Sequence, residues 1–291
     1  MKVHQLAKEL GFKSRDLIPA LQDAGIEVKA ANSKITEEQV EQFKAYVAKV
    51  EKTEIKKPTV GQLQELVEQV LGGEWFSSGS YDLNLIFLRN DLEEDAEYDG
   101  DVLFLDANTF NDLVCIAYRA SGRWVVECYP VTVDPGVAWR KDPKRNGGGV
   151  GIVVEGQYRS SHELGLHGEE ESLVQCGVVS VYRDADFNEY LTLDPETIEA
   201  GYGFNSHDAG QDSDTVDRWS GGCLVTKREH DMFRIIELLK EQHRRGKGKK
   251  VSVSLGRFSW IDNAEKGRKQ FLAISKHKKA KTSERPQSYA V

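Results

Sequence analysis

A histidine and a cysteine lying close together carry the clearest chemistry in this chain. They stand in Phe204-Asn-Ser-His207-Asp-Ala-Gly210 and in Ser220-Gly221-Gly222-Cys223-Leu-Val. A thiol becomes a nucleophile when a neighbouring base takes its proton and backbone N–H groups receive the oxyanion that forms. Glycines beside it let the main chain come close to a substrate carbonyl. On that chemistry Cys223 is the expected nucleophile and His207 its base. Ser220, through its hydroxyl or its backbone carbonyl, is expected to orient the imidazole and fix its tautomer, with Asp208 as the competing orienter. The backbone of Gly222 and Cys223, with Gly221 beside them, is expected to hold the oxyanion. The competing reading of the same residues is a buried structural thiol and a satisfied loop histidine.

The elements around these residues must bring them together. After Cys223 come Thr226 and Glu229, spaced as a capping box, and then Met232, Phe233, Ile235, Ile236, Leu238 and Leu239 at helical period. This predicts a long helix over Lys227–His243 with Cys223 just ahead of it, where the positive end of the dipole favours a thiolate. Upstream, short β-branched or aromatic runs predict strands over Leu83–Leu88, Val102–Leu105, Leu113–Tyr118, Trp124–Pro130, Gly151–Val154, Ser172–Cys176 and Val178–Tyr182, with a last one over Val251–Leu255. Glu93 to Asp101 reads as an acidic surface loop, and Arg244 to Lys250 as a solvated turn between helix and strand. The class expected is α+β: a small helical module, then a mainly antiparallel β domain with few helices.

Residues 1–50 form the helical module. His4–Leu10 reads as a short helix, Ser14 caps a second through Leu17, Ile18 and Leu21, and Thr36 with Gln39 makes a capping box for a third. Residues 51–75 are a charged linker followed by an amphipathic helix capped by Thr59. The β domain spans 76–262, and 263–291 is a basic tail read as a disordered, solubilising end.

Charge is uneven. The net value is −8, yet eight basic against two acidic residues from Asn263 onward give that tail +6, leaving −14 on residues 1–262. Such a body argues against nucleic acid as the main partner. Cys115, Cys128, Cys176 and Cys223 form no Cys-x-x-Cys pair, so no metal centre is expected from them, and no cofactor is called for. Asp184-Ala-Asp186-Phe-Asn188 lacks the glycine and glutamate of a calcium loop and reads as a charged turn. With no apolar signal core and no run near ~20 apolar residues, the chain is expected to be made in the cytoplasm without a signal peptide and to have no membrane partner.

Residues Tyr129 to Leu224 resemble the L,D-transpeptidase catalytic domain, in which His-x-x-Gly precedes Ser/Thr-His-Gly-Cys. His207-Asp-Ala-Gly210 and Ser220-Gly-Gly-Cys223 occupy those places, with Val133-Asp-Pro-Gly136 and Gly156-Gln-Tyr-Arg159-Ser-Ser-His162 as further matches. Two places depart from that family: Gly221 replaces a second histidine, and Leu224 and Val225 stand where an arginine follows the cysteine. The resemblance implies a cysteine enzyme acting through a thioester on peptidoglycan stem peptides, as transpeptidase, carboxypeptidase or endopeptidase. It leaves Arg218, Arg159 and His162 as the substrate-binding candidates. Trp219-Ser-Gly-Gly-Cys223 is similar to phage-encoded relatives, which implies a lysin or a virion-carried enzyme released on host lysis. Residues 2–47 separately resemble the N-terminal module of bacterial translation initiation factor 2, through Val3-His-Gln-Leu-Ala-Lys-Glu-Leu10 and Leu17-Ile-Pro-Ala-Leu-Gln-Asp-Ala-Gly25. That implies a docking element for a protein partner. A non-catalytic virion or interaction protein, and a ribosome- or nucleic-acid-associated factor, are the alternative functions.

Overall fold

The computed structural model describes the chain apart from residues 1, 10–16, 19–20, 22–24, 45–56, 93–96, 101, 106–107, 143–147, 211–212 and 282–291. It divides into two units, Met1–Lys57 and Pro58–Val291.

The first unit has its own core of Val3, Leu6, Leu17, Leu21, Ile26, Val28, Ile35 and Phe43. Its first helix is Val3–Glu9. The capping box at Thr36 forms as the spacing predicts: Gln39 N–H donates to Thr36 Oγ1, and Thr36 N–H to Gln39 Oε1. The proposed Ser14 cap and most of the charged linker lie outside the described residues.

In the second unit the amphipathic helix begins at Val60 behind a Thr59–Gln62 capping box and passes into a π-helical turn, Leu66–Val70. Leu63, Leu66, Val67 and Val70 are all buried, and Leu66 lies over Gly256. This helix is thus part of the β unit rather than of a separate 51–75 segment.

Among the described residues, fourteen strands follow. Eight close a barrel: β1 (Asn84–Arg89), β4 (Asp112–Ala120), β5 (Arg123–Thr132), β7 (Gly156–His167), β8 (Glu170–Gln175), β12 (Ser206–Asp208), β13 (Leu224–Thr226) and β14 (Lys250–Arg257). Their order is β1-β14-β7-β8-β12-β13-β5-β4. Pairing is antiparallel except β1 with β14 and β12 with β13, which are parallel. One small sheet holds β2 (Glu97–Asp99), β3 (Val102–Leu105) and β10 (Leu191–Leu193). Another holds β6 (Val150–Val153), β9 (Val179–Asp184) and β11 (Glu199–Gly201). The acidic stretch expected to be a loop therefore contributes strand β2.

The barrel core takes alternate residues of most of these strands, such as Leu85, Phe87, Val114, Ile116, Leu173, Leu224, Val251 and Val253. Met232, Ile235, Ile236, Leu238 and Leu239 of the helix Glu229–Arg244 join it. The α+β class and the long helix after the cysteine match the expectation from sequence. The tail does not: residues Ala264–Lys281 form a second long helix. Gly267 packs on the Trp260 side chain, Phe271 meets that ring at 6.2 Å, and Ile274 is buried. Lys278 Nζ donates to the Glu155 carbonyl and to Tyr158 Oη. Lys266, Arg268, Lys269, Lys276 and Lys278 thus stand on a docked helix.

Candidate active site

Parallel pairing of β12 with β13 decides the geometry. His207 lies opposite Val225, and side chains alternate along a strand, so Cys223, two residues before Val225, returns to the face that His207 occupies. Ser206 and Leu224 point the other way, Leu224 into the barrel core. Cys223 packs against a second small cluster, Phe110, Ala209, Val216 and Val225. On ordinary strand spacings the Cα atoms of 207 and 223 lie roughly 8 Å apart, a gap that an imidazole and a thiol can span.

His207 Nδ1 is 2.7 Å from the backbone carbonyl of Asp208. A carbonyl only accepts, so Nδ1 carries the proton and Nε2 keeps its lone pair. Burial holds this imidazole below the free value of 6.5, and the proximity of His167 adds to that; the bond to Asp208 O opposes both. The ring is thus neutral near pH 7, as a base must be. The orienter is the main chain of Asp208. Its carboxylate instead accepts the Gly210 N–H.

Ser220 does not orient the imidazole. Its hydroxyl is fully buried, donates to Cys223 O at 2.8 Å and accepts from Gly222 N at 3.1 Å, while its carbonyl accepts the Gly136 N–H. Ser220 is the internal brace of the cysteine loop. The Gly222 amide, expected to hold an oxyanion, is spent on that brace. Gly222 has φ +130°, and a Cβ there would come within 2.5 Å of Gly151 O and 2.7 Å of the Phe204 ring. Gly221 lies against the Trp139 ring, and Trp139 Nε1 donates to Arg218 O.

The sulfur is half-buried. Cys223 S–H points to Gly203 O at 3.6 Å, and the Asn205 N–H donates to the sulfur. Burial pushes the thiol above its usual range, and the Asn205 bond only partly offsets this. The helix-dipole expectation fails for a topological reason: strand β13 separates Cys223 from the helix, which begins at Glu229 with no side-chain cap. Thr226 is buried in β13, and its hydroxyl reaches Arg228 O and His207 O.

The Val133–Gly136 turn supports the loop from below. Asp134 pairs with buried Arg89, which also meets Glu155, and Asp112 accepts the N–H groups of Asn90 and Val133. Gly136 packs directly on the Asp217 backbone.

The candidate substrate residues part company. Arg218 is exposed on the loop that carries Cys223. Arg159 is not near it: β8 and β12 lie between its strand and β13, and it pairs with Glu74 at 2.7 Å. His162 is buried and bonds Ser161 Oγ and, through Nε2, Phe204 O at 2.8 Å. It braces the segment beside the sulfur and offers no surface to a substrate. Asp184 and Asp186 accept bonds from the Asp186 and Thr192 backbones and the Thr192 hydroxyl, as a turn requires. Among the described residues no group of His, Cys, Asp and Glu is arranged to hold a metal, and no helix is long and apolar enough to cross a membrane. A cleft of about 550 Å³ opens elsewhere, between Glu74, Phe76, Ser78, Asp82, Lys247 and Lys250.

Sequence reasoning missed Asn205, Gly203 and His167. The available signal was Asn205, two residues before His207 and so on its face of an extended strand. No curated protein and no solved structure matches the chain. The family described as translation initiation factor IF-2, N-terminal region, matches residues 1–47, so the first unit is a module of that type.

Proposed function

We propose that the second unit is a cysteine acyltransferase or peptidase of L,D-transpeptidase type, acting on peptidoglycan stem peptides through a thioester. The observation that carries this reading is the parallel β12/β13 pair. It supports a neutral imidazole, anchored through Nδ1 and with its lone pair on Nε2, on the same face as the Cys223 thiol. His207 Nε2 takes the thiol proton as the sulfur attacks the amide carbon, and the imidazolium then returns it to the leaving amine. Water or a second amine attacks the thioester, giving hydrolysis or transpeptidation. With the Gly222 N–H engaged by Ser220, the Cys223 amide is the donor left to meet the oxyanion. Arg218 is the cation placed to meet a stem-peptide carboxylate. A raised thiol means activation by the base at the moment of attack rather than a resting thiolate.

The resemblance of Trp219-Ser-Gly-Gly-Cys223 to phage-encoded relatives supports a wall enzyme carried by, or released with, a virion. The first unit would serve as its docking module for a protein partner. Purified peptidoglycan incubated with wild type and with Cys223→Ala, resolved by mass spectrometry, tests the assignment. New or lost stem-peptide bonds with wild type alone support it, and identical muropeptide patterns overturn it.

A second reading, a non-catalytic interaction protein, is favoured by the S–H contact to Gly203 O and the occupied Gly222 amide. It predicts that His207→Ala leaves Cys223 alkylation unchanged. The family match over residues 1–47 favours a third, a ribosome-associated factor, which predicts salt-sensitive rRNA binding.

A further inference from the structure

We propose that His167, on the β7–β8 hairpin, is a positioning residue of this centre, holding the His207 ring and tying it to the segment that grips the sulfur. The inference rests on the enzymatic reading of His207 and Cys223. The two imidazoles stack with centroids 4.7 Å apart and planes inclined by 26°. The hydrogen bond of His207 runs through Nδ1, an anchor about which a ring can rock. A stacked partner removes that freedom and aims Nε2 along the face shared with Cys223.

Asn205 makes the connection. Its Oδ1 accepts the Gln175 N–H at 2.9 Å, which fixes the amide so that Nδ2 must donate to His167 Nδ1 at 3.0 Å. His167 Nδ1 is therefore an acceptor, and its ring proton sits on Nε2. The same residue donates its backbone N–H to Cys223 Sγ and accepts the Leu224 N–H. One asparagine thus joins the second imidazole, the sulfur and the strand that follows it. Its neighbour Phe204 is braced from the other side by His162.

The charged and titratable groups around the His207 ring come from several elements. His167 approaches from β7, with Glu170 of β8 across from it in register. Asp208 belongs to the ring's own strand, and Cys223 precedes β13. Asp208 favours an imidazolium at 207 and His167 opposes it. Removing the His167 ring therefore exposes His207 to water and makes it easier to protonate, burial being the main cause that holds it down.

The test uses the full chain, with iodoacetamide as probe, Cys223 modification read by mass spectrometry across pH, and circular dichroism to confirm folding. In wild type and in His167→Phe, which keeps a stacked ring, alkylation at neutral pH should be similar. In His167→Ala it should fall roughly tenfold, the ring no longer being held in line. In His167→Ala, where the covering ring is lost, the acid limb should also move to higher pH, whereas in His167→Phe, which keeps the ring, it should stay near the wild-type position. An unchanged rate and an unmoved acid limb in folded His167→Ala, while His207→Ala still slows Cys223, overturn the role of His167 alone. Equal rates in wild type and His207→Ala overturn the enzymatic reading itself.

Discussion

Two main-chain groups hold the sulfur at position 223. Gly203 O attracts the thiol proton and the Asn205 N–H stabilises the sulfur's negative charge, so the resting thiol is held by segment 203–205. In the proposed enzyme, attack requires the S–H to leave Gly203 and turn to His207. Gly222 controls whether the loop can permit this. Its φ of +130° lies where other residues cost about 1–3 kcal/mol, and any Cβ would strike Gly151 O and the Phe204 ring. Gly222→Ala should therefore lower stability by at least about 2 kcal/mol, measured by urea unfolding, and should erase any His207 dependence of Cys223 alkylation. The spacing of His207, Ser220 and Cys223 is legible as a motif, but the direction of the Ser220 hydroxyl is not: local backbone geometry turns it into the loop, onto Cys223 O and the Gly222 N–H.

Element by element, legibility followed burial. Strands β1, β4 and β14 are buried along almost their whole length; apolar runs mark the first two, and the alternation of Val251, Val253 and Leu255 marks the third. Strand β7 is the longest among the described residues, at 12 residues, yet its outer positions are polar, and Ser160, Glu163 and His167 break the pattern. Strands β12 and β13 have three residues each and read as loop. The terminal helix was hidden by its lysines, although Gly267, Phe271, Ile274 and Lys278 keep a helical spacing.

The elements are joined by two charge clusters that differ in solvent access. Arg89 links the Asp134 turn to Glu155, all nearly solvent-free. Arg89→Met should cost about 3–5 kcal/mol in chemical unfolding, because Asp134 would stay buried without its cation. The second cluster fastens the 229–244 helix to β5. Arg234 donates to both oxygens of Glu127, which also accept the hydroxyls of Tyr118 and Tyr129. The bond from Arg234 is the largest influence holding the Glu127 carboxyl down, at about 2. The folded value lies below the ordinary 4.5, so this contribution is present above pH 4.5 and fades as pH falls toward 2. Arg234→Ala should cost roughly 1–3 kcal/mol at pH 7, and its difference from wild type should shrink in that acid window.

Over the whole molecule, two separate cores imply two cooperative units. Residues 58–291 produced alone should melt at the temperature of the major transition in the full chain. A large drop in calorimetry would show that the first unit stabilises the second. The division into a helical module and a β domain was visible in composition. The closed barrel was not, because closure depends on the pairing of β1 with β14 across most of the second unit.

That seam also has a consequence for biosynthesis. One edge of β1 must wait for a partner until the ribosome has made everything up to residue 257. At ordinary elongation rates this interval is on the order of ten seconds. Meanwhile Leu85 to Arg89, the span β14 will cover, offers an open row of amides to any other nascent strand. Slowing translation between 90 and 250 should lengthen that exposure and increase aggregated product, whereas a slow stretch after 257 should leave yield unchanged.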